Sequence, residues 1–345
     1  MHTPLYSLHK KLGAKFIPFA GWEMPVEYSS IKEEVWAVRN TRGLFDISHM
    51  GRLLIKKGIK SLDHLTSRRI DKVKPLRVQY NLLMNEKGGV KDDITLYKLS
   101  EEEVFLCVNS ANKDKVFKGL TEKGIEVEDI SKRTLQIALQ GPKAVELLKK
   151  YYPIEGLKYY HFGVFDGNIV SRTGYTGEDG FEIYIEVSKG LELFEELLKD
   201  CIPCGLGARD VLRIEAGMPL YGHEISEDIT PFEAGLDRYV DLEKDFIGKE
   251  ELLKKPIKFK LFGVELLQRG VPREGYGIFY EGKEIGHVSS GTFSPTLQKG
   301  IGLCFVNVEY RQEGFSVKVD IRGKRIPARL RSYPFVKISP RLVGS

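Results

Sequence analysis

The sequence predicts an α+β protein ending in an all-β unit, and three observations carry that expectation. Residues 52–137 run strand, helix, strand, strand, strand, helix, strand, a ferredoxin-like arrangement. Residues 169–187 read as two strands joined by a glycine-rich polar turn. From about Lys260 onward short strands and turns alternate closely, the texture of a small barrel or sandwich. At 345 residues the chain is too long for one ordinary core, so two or three domains are expected.

Helix signals at 4–12 and 29–40 precede a compact run from Gly43 to Met50. The middle segment then gives strand Arg52–Lys57, helix Ser61–Arg69 and strands Val78–Met84 and Asp93–Leu99 around the Asn85–Gly89 turn. Strand Val104–Val108, a helix Asn112–Lys123 capped by Asn112, and strand Ile125–Ile130 complete it. Thr134–Leu139 reads as a strand, and Gly141-Pro142 opens a helix with proline at its first position. Hairpin strands Ile169–Thr173 and Phe181–Val187 follow, then helices Leu191–Leu198 and Leu206–Ala216. The terminal strands are Leu261–Leu266, Gly277–Tyr280, Ile285–Ser289, Ile301–Val306, Phe315–Ile321 and Ile326–Arg331, with Ser289-Ser290-Gly291 as a turn.

Composition is that of an ordinary globular protein, 42% hydrophobic and 29% charged. The net charge of +5 comes from bases interspersed with acids, which argues against nucleic-acid binding and favours an acidic protein partner or a polyanionic small molecule. No apolar run reaches membrane-spanning length, and residues 1–15 lack an apolar signal core. A cytoplasmic protein of a bacterium or archaeon is expected, or a mature mitochondrial matrix form in a eukaryote. Residues 339–345 read as a frayed tail or cloning scar. Cys107, Cys201, Cys204 and Cys304 are expected as reduced structural thiols, since Cys201 and Cys204 have CxxC spacing but no second pair or histidines beside them.

The hairpin is the most informative segment. Phe181, Ile183, Ile185 and Val187 face one way, while Glu182, Tyr184 and Glu186 face the other. A carboxylate so fixed suits the N–H edge of a pterin or purine ring. Gly174, Gly177 and Gly180 are expected to supply positive φ in the turn. The spacing is not a dinucleotide fingerprint, and Glu178 and Asp179 would repel a pyrophosphate, so no nucleotide is expected. Asp92 and Asp93 stand where a turn enters a strand; Asp93 shares a face with Thr95 and Tyr97, and Asp92 is expected to cap the turn. Arg209, in the first turn of its helix, needs an acid such as Asp179 or Asp210, or an anionic ligand. It shares a face with Arg213. The histidines His49, His161, His223 and His287 form no ligand pair, and no triad, phosphate loop or metal site is indicated.

Ordered blocks along the chain nevertheless resemble one family, the T-protein aminomethyltransferases of the glycine cleavage system. They are Phe19–Pro25, Gly43–Met50, Gly88–Asp93, Ala138–Pro142, Gly174–Glu182, Leu206–Asp210 with Arg213–Gly217, Leu220–Glu224 and Thr292–Leu297. The resemblance spans about Thr3 to Lys337. It implies a three-domain cloverleaf around a folate channel: residues 1–51 with 138–245, a ferredoxin-like domain 52–137, and a β-barrel at 246–338. It also implies tetrahydrofolate as co-substrate, and transfer of a methylene carbon from S-aminomethyldihydrolipoyl H-protein with release of ammonia. The decarboxylase and dihydrolipoyl dehydrogenase of that system would be further partners. By the same resemblance Asp93 is the functional aspartate, and Glu182 accepts hydrogen bonds from the pterin. Met50, Tyr80 and Tyr175 would line its slot, Val108 and Asn109 would add contacts, and Arg209 would meet the anionic end or the aminobenzoate. Lys91 departs from the pattern and is expected to lower the Asp93 pKa if it shares that face. Three rivals of related kind are a folate-binding iron–sulfur assembly protein, a demethylase of free amines or sulfonium compounds, and the folate half of a flavin-linked dehydrogenase. The first would carry a cysteine-centred signature, where this chain reads Arg172–Glu178, and the last a nucleotide-binding domain.

Overall fold

The computed structural model describes residues 1–337 and Ser339. It divides into two compact units, one of residues 1–83, 92–210 and Ser339, the other of residues 84–91 and 211–337. The chain begins with α1 (Tyr6–Lys11), hairpin strands β1 (Lys15–Phe19) and β2 (Trp22–Glu27), α2 (Ile31–Asn40) and β3 (Gly43–Asp46). Next come β4 (Gly51–Lys57), α3 (Ile59–Leu65), β5 (Val78–Met84), β6 (Val90–Lys98), β7 (Val104–Val108), α4 (Lys113–Glu122) and β8 (Glu126–Asp129). Then follow β9 (Thr134–Gln140), α5 (Ala144–Leu148), β10 (Phe162–Phe165), β11 (Asn168–Ser171) and β12 (Gly180–Glu186). After these the chain runs through α6 (Val187–Leu198), β13 (Ile202–Cys204) and α7 (Leu206–Glu215).

The first unit holds two sheets. Six strands lie in the order β10-β11-β12-β9-β3-β13, antiparallel except where β13 runs parallel to β3. One face buries Leu135, Ile137, Leu139, Phe181, Ile183 and Ile185 against Leu147 and Leu148 of α5 and Phe194 and Leu197 of α6. Each such side chain stabilises the fold by about 1.5–3 kcal/mol. Alternation then sends Gln136, Glu182 and Tyr184 to the opposite face.

The second sheet has the order β5-β6-β7-β4-β8. Four of its strands follow the expected ferredoxin-like order, with β5 added at the edge beside β6. Its helix-covered face packs Leu53, Ile94, Leu96, Leu106 and Val108 against Leu62 of α3 and Val116 and Leu120 of α4. Its other face brings Val78, Tyr97, Phe105 and Cys107 against Phe162 and Tyr184 of the six-stranded sheet. These faces of the two sheets are therefore apposed, and the candidate site is built between them.

In the second unit α8 (Lys249–Lys254) precedes six strands. They are β14 (Phe259–Leu266), β15 (Gly277–Tyr280), β16 (Lys283–Ser294), β17 (Lys299–Asn307), β18 (Ser316–Ile321) and β19 (Lys324–Arg331). They form a closed barrel around Phe262, Val264, Ile278, Val288, Cys304, Val319 and Leu330. The α+β class and the terminal barrel agree with the sequence. Ser289-Ser290-Gly291 is not a turn: β16 runs through it with a bulge between Val288 and Ser290.

Other local expectations need correction. Asn112 occupies the N-cap position of α4 but makes no capping bond, because its amide is committed to Asp92 at 2.7 Å. Helix α3 stops at Leu65, not Arg69, since Thr66 bridges Leu83 and Asn81 Oδ1 accepts from the Arg68 N–H. No helix among the described residues is long and apolar enough to cross a membrane. Of residues 339–345 only Ser339 is described, and its N–H donates to Gly177 O at 3.0 Å; residues 340–345 lie outside the described residues.

Candidate active site

Strand β6 begins at Val90, so Asp92 and Asp93 lie within it and alternate in facing. Asp92 points to the covered face with Ile94 and Leu96 and does not cap the turn. Its carboxyl accepts from Asn109 N at 3.1 Å, Asn109 Nδ2 at 2.9 Å and Asn112 Nδ2 at 2.7 Å. Burial, then the neighbouring Asp93 charge, pushes it up to about 8. Asp93 is half-buried on the opposite face, where Tyr80 Oη donates to Oδ2 at 3.0 Å and Asn109 Nδ2 to Oδ1 at 2.7 Å. Burial raises the Asp93 carboxyl too, and those two donors pull it partly back. The downward shift expected from Lys91 is thus absent, because desolvation dominates.

Glu182 stands on β12, on the face turned toward the sheet that carries Asp93. Thr173 Oγ1 donates to its Oε2 at 2.5 Å, and Gln136 Nε2 lies 3.4 Å from Oε1. The preceding turn is held by Gln140, whose Oε1 accepts from Thr176 Oγ1 at 2.9 Å and whose Nε2 donates to Thr173 O at 3.1 Å. Of the three turn glycines only Gly177 has positive φ, at 77°. Gly174 serves close approach instead: a Cβ there would sit 1.9 Å from Gln140 Oε1. Both turn acids are neutralised, Glu178 by Arg39 at 3.0 Å and Asp179 by a bidentate pair with Arg172 at 2.6 and 2.8 Å.

The Arg209 guanidinium lies over the Tyr175 ring at 4.7 Å. Asp179 pairs with Arg172 at 2.6 Å. Arg213 is buried in the second unit against Glu224 at 2.9 Å and Ser290 Oγ at 2.8 Å. Met50 is half-buried against the cluster that holds Phe105 and Tyr184, while the Val108 side chain is buried in the helix-covered core. Tyr80 and Asn109 thus both contact Asp93, Tyr175 and Arg209 form a second pair, and Glu182 has partners of its own. No group of three or more metal-ligating side chains occurs among the described residues. All four cysteines are buried free thiols, and burial raises Cys107 to about 11.

Two residues of this region stand out only in three dimensions. Arg52 is buried, and its guanidinium donates to Ser48 O, Met50 O, Ser131 O, Thr134 O and Thr134 Oγ1. It thereby fixes the loop carrying His49 and Met50. His49 is buried, with its ring edge-on to Phe19 at 5.5 Å and Nδ1 without a hydrogen-bond partner. Desolvation, then the Arg209 charge, holds its pKa down to about 3. A folded pKa below the unfolded value of about 6.5 gives stability that is complete above pH 6.5 and is lost on acidification toward pH 3. His49→Gln is expected to remove up to about 1.4 kcal/mol per pH unit of that slope between pH 6.5 and 5. Urea unfolding at pH 7, 6 and 5 checks this; parallel slopes for both proteins would contradict it.

The chain matches two family models, the GCVT N-terminal domain over residues 5–244 and the glycine cleavage T-protein C-terminal barrel domain over residues 260–337. It is 59% identical over 337 residues to an aminomethyltransferase of Aquifex aeolicus (strain VF5), covering 98% of this chain and 96% of that one. An aminomethyltransferase of Geobacillus kaustophilus (strain HTA426) is 44% identical over 357 residues, with 97% and 98% covered. Among solved structures, the glycine cleavage system aminomethyltransferase T from Bartonella henselae superposes with a TM-score of 0.94 at 34% identity, covering 98% of both chains.

Proposed function

This chain belongs to the glycine cleavage T-protein family, and from that premise we propose how it works as the aminomethyltransferase of the glycine cleavage system. The acceptor is tetrahydrofolate, and the donor is the aminomethyl group on a dihydrolipoyl sulfur of the H-protein. The decarboxylase and dihydrolipoyl dehydrogenase supply and reoxidise that carrier. The excess positive charge of the chain suits an acidic carrier protein. Loss of a proton from the amine lets the C–S bond break, giving a thiolate and a methylene iminium. Nitrogen N5 of the folate attacks that carbon, ammonia leaves, and ring closure on N10 yields 5,10-methylenetetrahydrofolate.

Such a reaction asks for one well-placed anion and a rigid seat for the pterin. The observation that carries the reading is the setting of Asp93: half-buried, held by Tyr80 and Asn109, on the face turned toward the sheet that bears Glu182. Asp93 stabilises the cationic carbon or moves the proton near N5. Glu182 accepts from the pterin N–H edge, with Met50, Tyr80 and Tyr175 beside the ring. Val108 and Asn109 add contacts at that wall, and Arg209 meets the anionic end or the aminobenzoate. Losing a hydrogen bond to a carboxylate costs about 1.5–3 kcal/mol, so Glu182→Gln is expected to weaken tetrahydrofolate binding roughly tenfold to a hundredfold. Calorimetric titration with tetrahydrofolate checks it, alongside a melting temperature close to wild type. An unchanged Kd would remove Glu182 from the site.

A further inference from the structure

Behind Glu182 lies a closed ring of buried polar groups. Thr173 Oγ1 is 2.5 Å from Glu182 Oε2, and Ser171 Oγ is 2.7 Å from Thr173 Oγ1. Tyr97 Oη is 3.4 Å from Ser171 Oγ, Tyr184 Oη is 2.8 Å from Tyr97 Oη, and Gln136 Nε2 is 3.1 Å from Tyr184 Oη. Gln136 Nε2 then returns to Glu182 Oε1 at 3.4 Å. All five partners of Glu182 in the ring are buried. Strands β6, β9, β11 and β12 each contribute, so the two apposed sheets are stitched by it.

At the carboxylate end only one proton order satisfies the members. A carboxylate accepts and cannot donate, so the Thr173 hydroxyl must donate to Glu182. Thr173 then accepts from Ser171, whose hydroxyl also lies 3.3 Å from Glu182 O, while Tyr184 accepts from the Gln136 amide and lies in hydrogen-bond reach of Tyr97. The Gln136 end agrees, since its NH2 can also face Oε1 while its carbonyl could not. Each hydroxyl left unmatched inside the protein would cost about 1–3 kcal/mol, so the direction from Ser171 through Thr173 to Glu182 is fixed. Hydrogen bonds aligned head to tail also polarise one another. The outcome is asymmetric at the carboxylate: Oε2 takes a short bond, whereas Oε1 has only the long Gln136 contact among the described residues.

We propose that Gln136, Tyr184, Tyr97, Ser171 and Thr173 are positioning residues that lock Glu182 in one orientation, with Oε2 occupied and Oε1 presented to the ligand's N–H donors. The inference rests on Glu182 contacting the folate and assigns what makes that contact directional. Steady-state kinetics with aminomethyl-loaded H-protein and varied tetrahydrofolate tests it, using Thr173→Val, Thr173→Ser, Tyr184→Phe and Glu182→Gln. Thr173→Val is expected to raise KM for tetrahydrofolate about tenfold with kcat within about twofold of wild type, the loss of one charge-assisted bond. Thr173→Ser restores the hydroxyl and with it the wild-type KM. Tyr184→Phe breaks the chain farther away and raises KM severalfold; it carries the test if Thr173→Val does not fold. Wild-type KM in both Thr173→Val and Tyr184→Phe, with Glu182→Gln still impaired, would overturn the inference and leave the folate contact standing. Wild-type KM in Glu182→Gln would overturn both.

Discussion

Asp93→Asn is expected to lower kcat by about 10²–10⁴, or about 3–5 kcal/mol of transition-state stabilisation, with a much smaller change in KM for tetrahydrofolate. The size follows from what the substitution removes. Asparagine keeps the shape and can still accept from Tyr80 Oη, which donates to Oδ2 at 3.0 Å in the wild type. It cannot carry negative charge toward a cationic carbon or take up a proton. Binding contacts survive while the charge specific to the transition state is lost, so the effect falls on kcat. Burial raises the Asp93 pKa, and so the acidic limb of the pH–rate profile should lie above the range of an ordinary aspartate, activity rising as the group ionises. Asp93→Asn should abolish that limb. A variant retaining more than a third of wild-type kcat, or the same limb, would show that another group carries the chemistry.

Arg52→Leu is expected to be the most damaging single change to stability, costing about 3–5 kcal/mol in urea unfolding. Four main-chain carbonyls and the Thr134 hydroxyl accept from this one buried guanidinium, and leucine would leave all of them without that donor. Lysine should rescue poorly, because a single ammonium cannot reach acceptors spread over a planar fork. The loop from Ser48 to Met50 hangs from Arg52, so folate affinity should fall together with stability. A cost below about 1 kcal/mol would mean that the loop holds itself.

Where alternation governs, the strands were legible in the sequence. β5 and β7 coincide with the expected ranges, and all six barrel strands appear in their places. The facing of Asp93 and of Glu182 also follows from period two. The hairpin β1–β2 went unread because Pro18 and Pro25 argue against strands; an isolated two-stranded ribbon tolerates them at its edges. β3 and β13 are too short to show a period. Asp92 looked like a turn residue only while β6 was taken to begin three residues later, at Asp93.

Candidate site residues could be singled out one at a time, and their partners could not. Tyr97, Gln136 and the Ser171–Thr173 segment come from three separate places in the chain and meet only through sheet order. Neither Gln140 nor Arg52 carries a local signal, since each acts on distant main chain. His49 was visible as a histidine without a pair, and its burial beside the Arg209 charge is a fact of packing alone.

Single-turnover transfer from H-protein loaded with an aminomethyl group tests the proposed reaction most directly, with ammonia and 5,10-methylenetetrahydrofolate measured together. Equal amounts of the two products, appearing only when both loaded carrier and tetrahydrofolate are present, are expected. Turnover of free small amines or sulfonium compounds at a comparable rate would contradict it, as would ammonia release at the same rate and extent without folate.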